Sequence, residues 1–320
     1  MSKLLSINNL NVDFALRSGT LRAISDVSLS LEKGERLGVV GESGAGKSVL
    51  GFSIINLISK PGFIASGEIL FQGNDISKYS YEQLRNIRGN QISMIFQDPM
   101  MTLNPVLTIG SQMRETIHAH MKVSSAEANR ICVEKLTKVY IPSPEKRLTQ
   151  YPHEFSGGMR QRIVIAISLL TSPRLIIADE PTTALDVTIQ AEILDLLLEL
   201  CKTEEMGLML ITHDLAVVSQ VTQRIAVMYA GTIVELGPTS EVAHHPQHPY
   251  TIGLLGALPQ RAGKNKRLNQ IPGVMPGLAK IPRGCPFSNR CLLVEDICRS
   301  IRPKLEKKRN GIEVACHMVD

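Results

Sequence analysis

Apolar positions alternate with polar ones along residues 3–15, where Leu4, Ile7, Leu10, Val12 and Phe14 supply the apolar side and Asn8-Asn9 interrupts it. A turn at Arg17-Ser18-Gly19-Thr20 follows, and the alternation resumes through Ile24, Val27, Leu29 and Leu31. A period of two predicts strands with one buried face. A second turn at residues 32–35 leads to a short buried strand over 36–40, and residues 67–71 read as another short strand. These segments predict an antiparallel flap laid beside a core of another kind. Residues 91–97 predict a strand that ends on a polar residue.

Between 107 and 172 the period becomes helical, with Ile109, Met113 and Ile117 in one segment and Ile131, Val133 and Leu136 in another. This predicts two or three helices inserted into the strand pattern, the last beginning near Ser156-Gly157-Gly158. Residues 175–178 and 208–211 are continuous apolar runs, as expected of strands covered on both faces of a parallel sheet. Between them Asp186 stands at an N-cap position, before a helix with Ile189, Ile193, Leu194, Leu197 and Leu198 as its buried stripe. Residues 225–236 predict a hairpin turning at Ala230-Gly231. Beyond Gly237-Pro238 come a histidine- and proline-bearing segment, a short helix after Tyr250 and a basic linker over 261–267. The rest is rich in proline, glycine and cysteine, which predicts a small appended domain with few regular elements.

The chemistry is concentrated at the strand ends. Gly41-Glu42-Ser43-Gly44-Ala45-Gly46-Lys47-Ser48 fits the phosphate-loop pattern, with a strand before it and an apolar helix expected over 49–58. Backbone N–H groups of such a loop wrap phosphate oxygens, and the helix N-terminus adds a positive dipole end. Lys47 would neutralise the β- and γ-phosphates, and the Ser48 hydroxyl would ligate Mg²⁺. Asp179 ends the apolar run 175–178, where a carboxylate can hold Mg²⁺ through water. Glu180 points elsewhere and can polarise a water for in-line attack on the γ-phosphate. Ser156, Gly157 and Gly158 at a helix start form a second anion-binding site. One nucleotide rarely needs two such sites in one chain, so the second makes sense if it closes on ATP held by a different chain.

These motifs resemble the ATP-binding subunit of an ABC transporter. The resemblance rests on the phosphate loop, Gln97, the signature at 156–160, the acidic pair 179–180, Ala184-Leu185-Asp186 and His213, all in the family's order, and it covers residues 3–240. It implies an α/β P-loop ABC ATPase with a parallel core sheet, an antiparallel β flap and a helical subdomain over about 98–172, followed by a small irregular C-terminal domain at 241–320. It also implies roles. Gln97 contacts Mg²⁺ and senses a transmembrane partner, Asp186 lies in the loop coupling two nucleotide sites, and His213 contacts the γ-phosphate. Phe14 matches the aromatic that stacks on adenine, although a core Phe is nearly as good a reading. Met159 stands where the signature more often has Gln.

A narrower resemblance, to the dipeptide/oligopeptide importer branch, comes from residues 94–105, from His248-Pro249-Tyr250-Thr251 and from the cysteine-bearing tail. The Phe-Ser-Gly-Gly-Met signature resembles the first of that branch's two non-identical ATPases. The branch also holds importers of nickel and other small solutes. The implied partners are a second, non-identical ATPase subunit, two transmembrane permease subunits and an extracytoplasmic solute-binding protein. Cys285, Cys291, Cys298 and Cys316 have spacing C-x₅-C-x₆-C-x₁₇-C, which can serve Zn²⁺ or an iron–sulfur cluster. The branch resemblance suggests [4Fe–4S]; four unrelated buried thiols are the alternative. Cys132 and Cys201 fall in helical patterns as packing residues. His244, His245 and His248 read as a proline-flanked surface loop rather than a metal site.

Composition narrows the alternatives. The 320 residues carry a net charge of +5, but residues 261–320 hold 13 Lys+Arg against 5 Asp+Glu. A basic tail can meet nucleic acid or anionic lipid, and a solvated basic face explains it equally well. The chain has no Trp, so a base-stacking platform is poorly supplied and no nucleic-acid partner is expected. A soluble ABC ATPase of DNA repair or translation would carry a long coiled-coil insertion or a second cassette. A GTPase would carry Asn-Lys-x-Asp. No run approaches the ~18 apolar residues of a membrane span and no signal peptide is visible. The expected location is the cytoplasmic face of the inner membrane, reached through the permease subunits.

Overall fold

A computed structural model describes residues 3–183, 185–258 and 270–319. The chain divides into two compact units, Met1–Lys78 with Leu210–Asp320 and Tyr79–Met209. The first unit opens with β1 (Lys3–Leu16) and β2 (Gly19–Glu32), an antiparallel pair whose shared face buries Leu5, Ile7, Leu10, Val12, Ile24, Val27 and Leu31. The polar break at Asn8-Asn9 is a bulge: the register shifts between Ile7 and Leu10, and Asn9 stands at φ 47°. β3 (Arg36–Val40) and α1 (Lys47–Ile54) flank the glycine loop. α1 stops short of the expected end at 58, and Asn56 turns the chain at φ 49°. β4 (Gly62–Phe71) pairs with β1 and starts well before 67, because its first half is largely exposed and carries no apolar alternation to betray it. β5 (Asn74–Asp75) completes a four-stranded flap in the order β2-β1-β4-β5.

The second unit holds α2 (Tyr81–Ile87), β6 (Ile92–Ile95), α3 (Pro99–Thr102), α4 (Ile109–His120), α5 (Ser125–Lys138), α6 (Pro144–Arg147) and α7 (Gly157–Ser168). β7 (Leu175–Asp179) and α8 (Val187–Thr203) complete it. β6 and β7 run parallel, and β7 is buried along its whole length, as its unbroken apolar run requires. β6 is shorter than the 91–97 expected, which leaves Gln97 on the loop beyond it. α4 buries Ile109, Met113 and Ile117 as expected. α5 turns Ala128, Cys132 and Leu136 inward, with Ile131 and Val133 only half-buried. Ser124, Ser156 and Asp186 cap α5, α7 and α8 through side-chain oxygens that accept N–H bonds. Along α8 the buried residues are Ile193, Leu194, Leu196, Leu197, Leu200 and Cys201. Ile189 and Leu198 are half-buried instead of fully inside.

β8 (Gly207–Thr212) begins in the second unit and ends in the first, where α9 (Leu215–Val221) follows. β9 (Arg224–Tyr229) runs parallel to β3 and forms the expected hairpin with β10 (Thr232–Pro238). Ala230 and Gly231 hold φ 45° and 79°, both positive, the backbone of a type I′ turn. α10 (Thr239–His244), α11 (Pro249–Gly256), α12 (Asp296–Ser300), β11 (Glu306–Lys307) and β12 (Glu313–Val314) make up the tail. It is as poor in regular structure as its composition predicts. It is also built into the unit: β12 pairs with β10 and β11 with β12, extending the hairpin's sheet. The basic linker over 261–267 and Ala184 lie outside the described residues.

Candidate nucleotide site

In the first unit the glycine loop folds back over its own lysine. Lys47 is buried, and its Nζ donates to the carbonyl oxygens of Gly41 at 2.8 Å and Glu42 at 3.1 Å. Gly44 and Gly46 take left-handed conformations, at φ 83° and 100°, that keep the loop open. Ser43 and Gly44 are exposed at the rim, Ala45 is buried, and Ser48 is half-exposed one residue into α1. This is the arrangement in which loop N–H groups and a helix start face an anion.

The loop is braced from two sides. Gly231 at the hairpin tip donates its N–H to the Ala45 carbonyl and accepts from Ser25 N–H, both at 2.9 Å. A Cβ on Gly231 would sit 2.2 Å from the Ala23 carbonyl oxygen, so only glycine permits this approach. From the tail, Tyr250 Oη accepts the Glu42 backbone N–H at 2.8 Å, and Arg290 grips the Glu42 carboxylate. Tyr250 is fully buried, and burial raises its phenol above the ordinary range.

Phe14 is half-buried in β1, its ring against Gly62 on β4. His213 is exposed just beyond β8, and Asp214 beside it caps α9.

In the second unit, Asp179 ends β7 almost wholly buried, while Glu180 takes φ 46°. That left-handed conformation is uncommon for a residue with a Cβ and strains the backbone. It turns Glu180 away from the strand direction. Its Oε2 accepts from Gln97 Nε2 at 3.2 Å and from Thr183 Oγ1 at 2.9 Å. Gln97 and Glu180 therefore meet. Thr183 is a partner that sequence reasoning missed, since a threonine three residues after the acid carries no distinguishing local signal.

Ser156 caps α7 by accepting from Met159 N–H at 3.4 Å. Gly158 has a packing reason: a Cβ there would come 2.8 Å from Ile189 Cγ2 on α8. Asp186 accepts from Ile189 N–H at 3.0 Å and so starts α8 beside the start of α7.

Cys285, Cys291, Cys298 and Cys316 line one small cavity together with His248 and Phe287. Leu293 N–H donates to Cys291 Sγ and Met318 N–H to Cys316 Sγ. Burial pushes the Cys285 thiol up to about 11 and raises Cys291 and Cys316 as well. Among the described residues no three His, Cys, Asp or Glu stand grouped so as to hold a metal ion. Cys132 and Cys201 are buried in helices, as expected of packing residues. His248, expected on a surface loop, is buried: its Nδ1 accepts from Tyr250 N–H to cap α11, and burial lowers its basicity to about 3.

The ABC transporter family matches residues 24–183, and the family described as oligopeptide/dipeptide transporter, C-terminal region, matches residues 234–298. The dipeptide transport ATP-binding protein DppD of Bacillus subtilis is 47% identical over 321 aligned positions, covering 100% of this chain and 96% of its own. The oligopeptide transport ATP-binding protein OppD of the same organism is 49% identical over 292 positions, covering 91% of this chain and 82% of its own. Among solved structures, the dimeric post-hydrolysis state of the ATP-binding cassette MJ0796, bound to ADP and Pi, superposes with a TM-score of 0.66 at 25% identity. It covers 73% of this chain and 98% of that cassette. No described helix is long and apolar enough to cross a membrane.

Proposed function

Since this chain belongs to the ABC transporter ATPases and carries the C-terminal region of their oligopeptide/dipeptide branch, we propose that it is the ATP-hydrolysing motor of a peptide importer. The observation that carries this reading is the relationship to dipeptide transport ATP-binding proteins over the whole length, tail included. The first 240 residues form the motor and residues 241–320 the branch-specific appendage. The partners are two permease subunits, a solute-binding protein and a second, non-identical ATPase. The dimeric state of the related cassette supports a two-chain clamp, in which Ser156, Gly157 and Gly158 close on the partner's ATP. The chain then works at the cytoplasmic face of the membrane, held there by the permeases.

In that clamp, Lys47 and the loop N–H groups hold the β- and γ-phosphates, Phe14 packs on adenine and His213 approaches the γ-phosphate. Ser48, Gln97 and Asp179 offer hydroxyl, amide and carboxylate oxygens, a donor set suited to Mg²⁺, which offsets phosphate charge when bound. Glu180, aimed by Gln97 and Thr183, accepts the proton of the attacking water. Asp186 links the two sites. Glu180→Gln should bind ATP and hydrolyse it very slowly, and cells carrying it should lose uptake of labelled dipeptide. Untouched peptide uptake with failed nickel uptake would replace the cargo; unchanged uptake of every solute would refute the importer reading.

We propose that the cysteine cavity holds a [4Fe–4S] cluster, with Zn²⁺ as the alternative. The four cysteines line the cavity together, and backbone N–H groups donate to the sulfur of Cys291 and Cys316, as they do for thiolate ligands. Anaerobically purified protein should contain about four irons per chain and lose them in Cys285→Ser. Absence of iron together with bound zinc would reverse the choice.

A further inference from the structure

The phosphate loop carries a carboxylate, Glu42, at a position that the loop pattern leaves open. A free carboxylate beside a polyphosphate would oppose binding. In this chain Glu42 is held by an arginine 248 positions away in sequence: Arg290 Nη1 lies 2.6 Å from Oε2 and Nη2 lies 3.0 Å from Oε1, a bidentate pair. The Arg290 side chain is 5% exposed and that of Glu42 32%. Arg290 Nε donates to the Pro272 carbonyl at 2.8 Å, and its guanidinium lies over the rings of Tyr229 and Phe287. Every arm of this arginine is fixed, and Tyr250 fixes the Glu42 backbone N–H from the same side. All of these residues belong to the first unit.

We propose that Arg290 is a positioning residue for ATP: it neutralises the Glu42 carboxylate and pins it away from the phosphates, so that the loop offers them only Lys47 and N–H donors. The C-terminal region then forms part of the nucleotide site, though it contributes no atom to the phosphates. A lysine would keep the charge but not the fork geometry. The inference rests on the loop binding ATP.

The test is binding of a fluorescent ATP analogue to the full-length chain with Mg²⁺, paired with a thermal melt. Arg290→Gln should raise the ATP Kd about tenfold, equivalent to about 1.4 kcal/mol. Glu42→Gln added to it should return the Kd to within about threefold of wild type, because the offending charge is gone. A purely structural role predicts the opposite, since the double variant restores no ion pair. In the ATPase assay the Arg290→Gln defect should fall on KM, not kcat. A double variant as weak as Arg290→Gln, or an Arg290→Gln with wild-type affinity, would overturn the proposal. If Arg290→Gln does not fold, Arg290→Lys replaces it: the retained charge should hold the Kd within about threefold, and a tenfold loss would overturn neutralisation. A wild-type chain that binds no ATP would overturn both this inference and the phosphate-loop assignment, whereas failed rescue overturns this inference alone.

Discussion

Replacing Gly231 by Ala tests whether the hairpin tip supports the phosphate loop. The added methyl would stand 2.2 Å from the Ala23 carbonyl oxygen and 3.0 Å from its carbon, both backbone atoms that cannot swing aside. The residue would also have to hold φ 79°, which costs a side-chain-bearing residue about 1–2 kcal/mol. To relieve the overlap the tip must lift, releasing the bonds from Ser25 N–H and to the Ala45 carbonyl, each contributing about 1 kcal/mol. The stiffer unfolded chain returns about 0.4–1 kcal/mol. The net loss is roughly 3 kcal/mol, a large part of the 5–15 kcal/mol typical of a domain. Urea unfolding of the full chain reads the stability, and ATP titration reads the loop. Both should weaken together, since Ala45 lies inside the loop. Ala230→Gly, next in the same turn, should change little. A Gly231→Ala protein within about 1 kcal/mol of wild type and with unchanged ATP affinity would refute the brace.

Two further outcomes follow from hydrogen bonding and burial. Thr183→Val removes the hydroxyl that steadies Glu180, a bond to a charged group worth about 1.5–3 kcal/mol. ATP turnover should drop at least tenfold with ATP affinity kept, and Thr183→Ser should restore it; equal turnover in Thr183→Val would remove Thr183 from the site. Burial holds His248 near 3, below its usual 6.5, so the unfolded chain takes up a proton that the folded chain refuses. Stability from this group is full above about pH 6.5 and falls by up to roughly 1.4 kcal/mol per unit as pH drops towards 3. His248→Gln should flatten that slope in urea midpoints measured between pH 7 and pH 5; an unchanged slope would mean that His248 is not its source.

Features fixed by neighbours in sequence are legible from the residues alone. The glycine loop, the Asp186 cap and the Ala230-Gly231 turn are each written in a few adjacent residues, and each stands where expected. Register on α5 and α8 is less legible, because apolar residues cover more than one face. On α5, Cys132 and Ala128 take the inner positions instead of Ile131 and Val133. The start of β4 is hidden because solvent faces it. Partnerships across long stretches of chain leave no trace in the local pattern at all. Glu42 reads as a filler position in the loop pattern until Arg290 is placed beside it. His248 reads as a surface residue until the tail closes over it. The four tail cysteines can be counted along the chain, but only the folded tail sets them round one cavity.

The contact between α7 and α8 has a mechanical consequence. Gly157 lies against Leu185, the neighbour of Asp186, and Gly158 against Ile189, whose N–H Asp186 caps, and no Cβ separates the two helix starts. A side chain at Gly158 would come 2.8 Å from Ile189 Cγ2, so the two helix starts are packed as closely as glycine allows. A shift of one helix start should therefore press on the other, as between two teeth of a meshed gear. Trimming Ile189 would open that contact and introduce backlash between two capping residues, Ser156 and Asp186, that stand 30 residues apart in sequence.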